Sequence, residues 1–246
     1  IYILNVGFSS IGALFSQYFD VEEHDNLRKQ NSDYFPSVDI YLPNYGEDIK
    51  ILANTFKAVS KIDYPNYTVW CLDDAGRPEV KMLAELHGFE YVAREGNDLK
   101  KAGNMRNAFK FTTGEFILVF DADFAPRSDF LKESIFYMLD EEIAILQTPQ
   151  YFQETEDQTE IQLGSTALQH VFHRLVQSFR NVWGASICTG SCAIYRRAAL
   201  APHGGWAPVP RSEDLNSALM VLRNGWKIIY VPLVLSSGLS PDTVKA

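Results

Sequence analysis

The chain has 246 residues, of which 46% are hydrophobic, and its formal net charge at pH 7 is −9. A chain of this length can bury the core of a single α/β domain. The negative charge argues against nucleic acid as the main partner, because a nucleic-acid-binding surface is basic. The three cysteines, Cys71, Cys188 and Cys192, are an odd number and lack the neighbours of a zinc site. We therefore expect reduced, structural thiols.

The first 19 residues contain no charged side chain. This length is close to the roughly 20 residues that a membrane-spanning helix needs. Polar side chains such as Asn5, Ser9 and Gln17 dilute the hydrophobicity of the segment, so an amphipathic or core helix is the alternative to a membrane segment. The segment lacks the basic start and the cleavage site of a secretory signal. Residues 20–36 are polar and charged, and they are predicted to form a linker.

From Val38 onward, predicted strands and helices alternate. Apolar runs predict strands over 38–42, 67–72, 89–93, 115–120 and 143–147, and helical spacing predicts helices over 49–61, 80–87, 102–111 and 130–139. Later segments predict a long helix over 159–183, a helix over 214–224, and strands over 192–195 and 227–231. Alternating strands and helices indicate parallel βαβ units, so the predicted fold is an α/β, doubly wound sheet flanked by helices.

Two acidic motifs directly follow predicted strands. Asp73 and Asp74 follow the second strand, and Asp121 and Asp123 follow the fourth. Ligands of open α/β sheets bind outside the carboxyl ends of the strands, so these carboxylates are expected to face a site. The Asp-x-Asp pair suits a divalent cation that bridges protein and diphosphate, because hard cations prefer oxygen ligands. Asp73 and Asp74 can accept hydrogen bonds from a nucleobase or ribose. The alternative interpretation is that they form a helix cap or a turn.

Two further motifs lie where helices begin. Lys101 precedes Gly103 at a helix start, where a lysine and free backbone N–H groups can meet phosphate, and ordinary helix initiation is the alternative. Ser212, Glu213 and Asp214 also precede a helix and have the pattern of a capping sequence. The functional interpretation is that Asp214 is a general base, which an acceptor hydroxyl needs when it attacks a sugar carbon.

Aromatic and imidazole side chains supply weaker signals. Trp206 follows two glycines, and it is suited either to stacking on a sugar ring or to packing within its own loop. His170 and His173 are three residues apart on one predicted helix face. Because no third metal ligand is visible in the sequence, we interpret them as a packed or solvated pair.

In this order and spacing, the motifs resemble family 2 glycosyltransferases, specifically the cellulose synthase-like branch, from about Val38 to Ala246. Residues 42–47, Leu-Pro-Asn-Tyr-Gly-Glu, resemble the opening strand and uridine-contacting loop of that family. Residues 147–149 resemble its Gln-Thr-Pro segment, and residues 189–191 resemble the loop that cups the acceptor end of the glucan. Residues 212–214 stand where Thr-Glu-Asp is the commoner sequence.

The resemblance implies a GT-A type, Rossmann-like, mostly parallel sheet, and an inverting transfer of a sugar, with glucose expected, from a UDP-sugar onto a growing β-glycan. It implies Mg²⁺ or Mn²⁺ as the cofactor. The residues that it implies are Tyr45, Glu47, Asp73 and Asp74 on the uridine; Lys101 on the diphosphate; Asp121 and Asp123 on the sugar nucleotide and metal, with Asp123 the more direct ligand; Thr189, Gly190, Ser191 and Glu213 as further substrate contacts; and Asp214 as the base.

The resemblance also predicts how the chain is organised. Residues 1–37 would be a membrane-proximal or interfacial helix with a polar linker, and residues 38–246 a GT-A domain. Processive members carry a Gln-x-x-Arg-Trp motif shortly after a Pro-x-Thr segment such as residues 241–243, so we expect a chain truncated before that motif. The expected partners are the UDP-sugar donor and a glycan acceptor, and the expected location is an inner or plasma membrane with the domain on the cytoplasmic side.

Two alternatives to the polymerase remain open at this point. One is a non-processive family 2 enzyme that acts on a lipid or protein acceptor. The other is a non-catalytic nucleotide-binding subunit, against which the joint presence of Asp121, Asp123 and Asp214 argues.

Overall fold

The computed structural model describes residues 19–152 and 159–238. The predicted membrane or interfacial helix, except for Phe19, and the Pro-x-Thr segment lie outside the described residues. The described strands are β1 (Val38–Asn44), β2 (Tyr67–Asp73), β3 (Glu90–Ala93), β4 (Phe116–Val119), β5 (Phe124–Pro126), β6 (Ile143–Gln147), β7 (Tyr151–Phe152), β8 (Ala193–Arg196), β9 (Lys227–Tyr230) and β10 (Ser236–Gly238). The described α-helices are α1 (Val21–Gln30), α2 (Ile49–Val59), α3 (Pro78–Leu86), α4 (Lys100–Phe109), α5 (Glu160–Val171), α6 (Ser178–Asn181), α7 (Arg197–Leu200) and α8 (Glu213–Arg223).

The main sheet has seven strands in the order β3-β2-β1-β4-β8-β6-β9. Its neighbours are parallel except at β8, which runs antiparallel to β4 and to β6. A small second sheet has the order β5-β10-β7. The architecture confirms the predicted mostly parallel α/β fold.

Helices cover both faces of the sheet, and every residue of its central strands β1, β4 and β8 is buried. Side chains alternate between the faces along a strand, and Leu42 of β1 packs in one core cluster while its neighbour Tyr41 packs in the other. The first cluster receives Phe56 from α2. The second receives Met105 from α4 and Val221 from α8. Burial on both faces is typical of parallel sheets.

The predicted linker at 20–36 is wrong in part, because helix α1 occupies most of it. The Asp20 carboxylate caps this helix by accepting hydrogen bonds from the backbone N–H groups of Glu22 and Glu23 at 2.9 and 3.0 Å. The helix is held to the domain by polar contacts. Its buried His24 lies 2.8 Å from the Tyr137 hydroxyl and 2.8 Å from a carboxylate oxygen of Glu133. A polar anchor leaves no apolar stripe in the sequence, so periodicity missed the helix.

Two predicted helices differ from the observed structure. Residues 130–139 form turns followed by a short 3₁₀ helix, Ile135–Leu139, and the Ser134 hydroxyl donates to the Phe130 carbonyl at 2.5 Å. Such a local side-chain bond competes with regular helix formation. The long helix predicted over 159–183 is interrupted by a π-helical stretch, Phe172–Gln177. Across the described ranges, no helix is long and apolar enough to cross a membrane.

The three cysteines behave as predicted. Cys71, Cys188 and Cys192 are buried and free. Burial in the apolar core raises the pKa of the Cys71 thiol to about 12 and that of Cys188 to about 11. These thiols are therefore protonated near neutral pH, which fits a structural role.

A buried acid in the central strand β1 joins three segments. Asp39 is 5% exposed. Its carboxylate accepts hydrogen bonds from Trp70 Nε1 at 2.9 Å, from the Gly114 backbone N–H at 2.6 Å, and from Arg197 Nη2 at 2.8 Å. The Arg197 guanidinium also lies 4.7 Å from the centre of the Phe109 ring.

We expect Asp39→Asn to lower the free energy of unfolding by about 3 kcal/mol, because it leaves the Arg197 guanidinium, on a side chain that is only 17% exposed, without its charge partner. Urea denaturation measures the change. The matched control is Asp63→Asn, which removes an ion pair to Lys132 between side chains that are 70% and 43% exposed. The control should change stability by less than about 0.5 kcal/mol. Equal effects from the two substitutions would contradict the structural role of Asp39.

Candidate active site

A cleft of about 520 Å³ lies at the carboxyl ends of β1, β2 and β4. Its lining residues are Pro43, Asn44, Tyr45, Glu47, Ile51, Asp74, Asn97, Lys100, Lys101, Asn104, Asp121, Ala122 and Asp123. The three strands end at this edge because their pairing is in register, with Asn44 opposite Asp73 and Tyr41 opposite Val119. The cleft therefore brings together residues that lie up to 80 positions apart in sequence, from Pro43 to Asp123.

The loop after β1 presents an exposed aromatic ring to this cleft. Tyr45 is 58% exposed. The Glu47 carboxylate accepts hydrogen bonds from the backbone N–H groups of Tyr45 and Gly46 at 2.8 and 3.0 Å. Glu47 thus fixes the conformation of the loop, and Tyr45 lines the cleft.

The paired acids after β2 have different surroundings. Asp73 is fully buried, and its carboxylate accepts hydrogen bonds from the backbone N–H of Ala75 at 3.1 Å, the backbone N–H of Arg77 at 2.7 Å and the Tyr91 hydroxyl at 3.0 Å. The turn interpretation therefore describes Asp73. Asp74, by contrast, lines the cleft.

Sequence reasoning missed Arg94, which holds Asp74 in place. Arg94 donates through Nε and Nη2 to the two carboxylate oxygens of Asp74 at 2.6 and 2.8 Å. It also donates to the carbonyls of Asp98 and Lys100 at 2.8 and 3.0 Å. The sequence signal that could have identified Arg94 is its position directly after a strand. Arg94 follows β3, whose last residue, Ala93, pairs with Asp73.

Lys101 connects three of the predicted motifs. Its ammonium pairs with the Asp121 carboxylate, donates to the Gly190 carbonyl at 3.0 Å, and lies 4.0 Å from a carboxylate oxygen of Glu213. Burial acts to lower the pKa of Lys101, but the carboxylates of Asp121 and Glu213 outweigh it and raise that pKa. Lys101 is therefore charged at neutral pH.

Asp121 and Asp123 form an acidic pair that suits a cation. The Asp121 backbone N–H donates to the Ser191 hydroxyl at 2.8 Å, which fixes the turn after β4. Burial and the neighbouring Asp121 carboxylate raise the pKa of Asp123 to about 6. A divalent cation would offset this repulsion, and carboxylate oxygens are the donors that Mg²⁺ and Mn²⁺ prefer.

The protein supplies only part of a coordination sphere. In the portions of the chain that the structure describes, no group of three or more His, Cys, Asp or Glu side chains could hold a metal ion. An ion at Asp121 and Asp123 would therefore take its remaining ligands from a bound molecule or from water. This arrangement is typical of Mg²⁺ sites that include substrate phosphates.

The loop at 189–191 is clamped by a fully buried side chain. Gln147 accepts a hydrogen bond from the Thr189 backbone N–H at 2.9 Å and donates to the Ser191 carbonyl at 2.8 Å. Gly190 has a φ of +79°, and a Cβ there would lie 3.0 Å from the Cβ of Asp214. The loop and Asp214 are thus in close contact because residue 190 has no side chain.

The capping interpretation of Ser212 is wrong. Its side chain makes no cap hydrogen bond to helix α8, and its backbone is left-handed, with a φ of 53°. Asp214 lies in the first turn of α8, where its carboxylate accepts a hydrogen bond only from the adjacent Leu215 N–H among the described contacts, at 2.7 Å. The Asp214 side chain is partly exposed and lies beside the 189–191 loop.

Backbone strain concentrates around these motifs. Among the described residues, the non-glycine positions with positive φ are Leu99, Lys100, Cys192 and Ser212. Each is one or two residues from Lys101, Ser191 or Asp214. Non-glycine residues pay a steric cost in this region of φ, and such residues cluster at functional sites.

Two other sequence interpretations are now decided. Trp206 is fully buried, and its ring packs beside Tyr41 and Tyr195. Of its two interpretations, the one in which it stacks on a sugar ring is therefore wrong, and the packed one is confirmed. His173 is buried and stacks on Tyr230, and burial together with His170 lowers its pKa to about 4. The packed-histidine interpretation is confirmed for His173.

Comparison of the sequence with known proteins gives consistent matches. The profile of Glycosyl transferase family 2 matches residues 39–204. The chain is 38% identical over 218 residues to the cellulose synthase 1 catalytic subunit [UDP-forming] of Komagataeibacter xylinus, an alignment that covers 86% of this chain and 29% of the relative. It is 33% identical over 223 residues to the cellulose synthase catalytic subunit [UDP-forming] of Pseudomonas fluorescens, covering 88% of this chain and 30% of the relative. The chain thus spans less than a third of the length of these relatives.

Solved structures share the fold at lower sequence identity. The mannosyltransferase PcManGT from Pyrobaculum calidifontis, in complex with GDP-Man and Mn²⁺, aligns with a TM-score of 0.66 and 17% identity over 98% of this chain and 68% of that protein. Glucosyl-3-phosphoglycerate synthase from Mycobacterium tuberculosis, in complex with Mn²⁺, UDP and glucosyl-3-phosphoglycerate, aligns with a TM-score of 0.59 and 14% identity over 92% of this chain and 79% of that protein. These likenesses show the GT-A fold.

We expect Gly103→Ala to lower the free energy of unfolding by about 2 kcal/mol, because overpacking of this size forces backbone shifts. A Cβ at Gly103 would lie 2.0 Å from the Asp98 carbonyl oxygen and 2.7 Å from Arg94 Nη1. The matched control is Gly164→Ala in helix α5, where nothing lies within 4 Å of the added atom. That substitution should stabilise the protein by up to about 1 kcal/mol, since alanine favours helix over glycine. Denaturant titration of both variants measures whether the two changes in the free energy of unfolding have opposite signs.

Proposed function

The chain belongs to glycosyl transferase family 2, in its cellulose synthase-like branch, and on this basis we propose that it transfers a sugar from a UDP-sugar onto a growing β-glycan with inversion at the anomeric carbon. The observation that carries the proposal is the set of contacts of Lys101. This side chain joins Asp121, Gly190 and Glu213 at the mouth of one cleft. Donor-side and acceptor-side motifs are thus adjacent, as a single displacement requires.

For the nucleotide, we propose that Tyr45 and Asp74 contact the uridine. Tyr45 offers an exposed ring for stacking, and Asp74 offers a carboxylate in the wall of the cleft. We assign Glu47 and Asp73 to shaping the two loops, because their carboxylates are engaged by backbone N–H groups. UDP is named in the description of the relatives that share up to 38% identity with this chain.

For the diphosphate, we propose that Lys101 and a divalent cation held by Asp121 and Asp123 neutralise its charge. The cleft is lined by carboxylates, so a bare diphosphate would be repelled without a cation. When bound, Mg²⁺ or Mn²⁺ would offset the negative charge that develops on the departing UDP. Mn²⁺ accompanies the nucleotide in the two aligned glycosyltransferase complexes, which supports the choice of ion.

For the transfer itself, we propose that Asp214 takes the proton from the acceptor hydroxyl. The acceptor oxygen forms a bond to the anomeric carbon as the bond from that carbon to the diphosphate oxygen breaks, and the proton passes to the Asp214 carboxylate. Thr189, Gly190 and Ser191 form the loop against which Asp214 packs, and Glu213 lies beside Lys101. This loop and Glu213 are the proposed acceptor contacts.

The cellulose synthase relatives favour the polymerase over a non-processive enzyme with a lipid or protein acceptor. They also favour an enzyme over a purely nucleotide-binding subunit. The same proposal has three further parts. The donor sugar is glucose, the addition is processive, and the domain lies on the cytoplasmic face of an inner or plasma membrane. They apply to the full-length protein.

We expect UDP to bind this chain in a Mn²⁺-dependent manner and Asp123→Ala to abolish the metal-dependent part, because the acidic pair loses its more direct ligand. Calorimetric titration with and without Mn²⁺ measures both. Asp129→Ala serves as the control, since Asp129 pairs with Arg127 and does not line the cleft. Unchanged metal-dependent affinity in Asp123→Ala would remove this residue from the site.

We expect Asp214→Asn to keep the UDP affinity of the parent protein and to lower transfer by at least about 100-fold, because the amide cannot take up the acceptor proton. Radiolabelled sugar transfer by the full-length protein gives the rate, and calorimetry gives the affinity. Transfer at the original rate would show that Asp214 is not the base.

A further inference from the structure

Arg94 is engaged almost completely by its surroundings. Four of its five N–H groups donate: Nε and Nη2 to the Asp74 carboxylate, Nη2 again to the Lys100 carbonyl, and Nη1 to the Asp98 carbonyl. The side chain of Arg94 is 14% exposed and that of Asp74 is 4% exposed. Arg94 itself does not line the cleft, whereas Asp74 does. Any effect of Arg94 on a ligand must therefore pass through the groups that it holds.

The Asp74 carboxylate is immobilised from two sides. Its backbone N–H donates to the Asn44 carbonyl at the end of β1, at 3.0 Å. Its two oxygens take the paired hydrogen bonds of the guanidinium, which fix the plane of the carboxylate. Gly103 leaves room for the Arg94 guanidinium in this position, because a Cβ at residue 103 would lie 2.7 Å from Arg94 Nη1. The lone pairs that remain on Asp74 therefore point in fixed directions.

A fixed acceptor distinguishes the pyrimidine bases. Uracil carries an N–H donor at ring position 3, whereas cytosine carries a lone pair at that position and an amino group beside it. A carboxylate that cannot turn repels the cytosine ring nitrogen and cannot follow the displaced amino donor. A site built to accept a particular N–H rejects an analogue that lacks it, because the buried groups are left unpaired.

We propose that Arg94 is a positioning residue that sets the preference for uracil, by locking Asp74 as a directed hydrogen-bond acceptor in the wall of the cleft. This inference rests on the proposed nucleotide site, and it adds a residue that has no contact with the ligand. A lysine at position 94 keeps the charge but cannot form the paired hydrogen bonds, because an ammonium is a point charge without the planar fork. The geometry of Arg94, more than its charge, is the selective element.

The test compares the dissociation constants of UDP and CDP, measured by calorimetry with Mn²⁺, for the parent chain and for Arg94→Lys. The parent should prefer UDP, and Arg94→Lys should lower the ratio of CDP to UDP dissociation constants by about 10-fold, the loss of one directed hydrogen bond. The matched control is Arg106→Lys. Arg106 lies on α4 and donates to the carbonyls of His203 and Trp206 at 3.0 and 2.6 Å. The Arg106→Lys variant should keep the parental ratio of CDP to UDP dissociation constants even if the substitution lowers the melting temperature.

A double-mutant cycle shows whether Arg94 acts through Asp74. In the Asp74→Asn background, Arg94→Lys should leave the ratio unchanged, since the acceptor that it orients is gone. An equal loss of affinity for UDP and CDP in Arg94→Lys alone would mean that Arg94 only holds the site together, and would overturn the proposal. A further 10-fold loss of the ratio when Arg94→Lys is added to Asp74→Asn would overturn it as well.

Two results with the parent chain separate this inference from the proposed function. If the parent binds no UDP, the proposed function fails. If it binds UDP and CDP equally, the nucleotide site stands and the inference about Arg94 fails. Should Arg94→Lys not fold, UDP methylated at ring nitrogen 3 replaces the variant. Affinity equal to that of UDP would overturn the proposal, and a loss of at least about 10-fold would support it.

Discussion

The ion pair between Lys101 and Asp121 is the interaction on which the site depends. The chain carries a net charge of −9, and the cleft gathers carboxylates from the loops after β1, β2 and β4. Burial disfavours a charged lysine, yet Asp121 and Glu213 together raise the pKa of Lys101. The ammonium therefore stays charged, and its contact with the Gly190 carbonyl at 3.0 Å joins the 189–191 loop to Asp121 at the end of β4. Removal of this cation would leave the carboxylates of Asp121 and Glu213 without their charge partner at one edge of the sheet.

The position of the site could be predicted from the sequence because it follows from the direction of the strands. Asp74 and Asp121 follow apolar runs, and parallel strands bring their carboxyl ends to one edge. The division of labour between Asp73 and Asp74 could not be predicted, because it depends on where β2 ends and which side chain turns inward. Arg94 was missed because a lone arginine has no pattern. Its role arises only from the register that pairs Ala93 with Asp73.

The errors in the rest of the chain share a physical cause. Periodicity detects an element through an apolar face, and helix α1 is held by His24 and Glu133 instead. The sequence left Trp206 open, because an aromatic residue after two glycines suits either a ligand contact or packing within its loop. The ring is in fact enclosed in the second core cluster beside Tyr41. Burial depends on packing between distant segments, and two adjacent glycines contain no information about it.

The two halves of the site are held in one arrangement by a chain of hydrogen bonds that begins in the core. Gln147, which is fully buried at the end of β6, fixes both ends of the 189–191 loop. The hydroxyl of Ser191 in that loop accepts the backbone N–H of Asp121, and Gly190 packs against Asp214. One loop therefore sets the position of a proposed metal ligand and of the proposed base. Displacing this loop would shift both groups at once. Cys192, directly after the loop, lies in the left-handed region with a φ of 55°, a conformation that costs a non-glycine residue free energy.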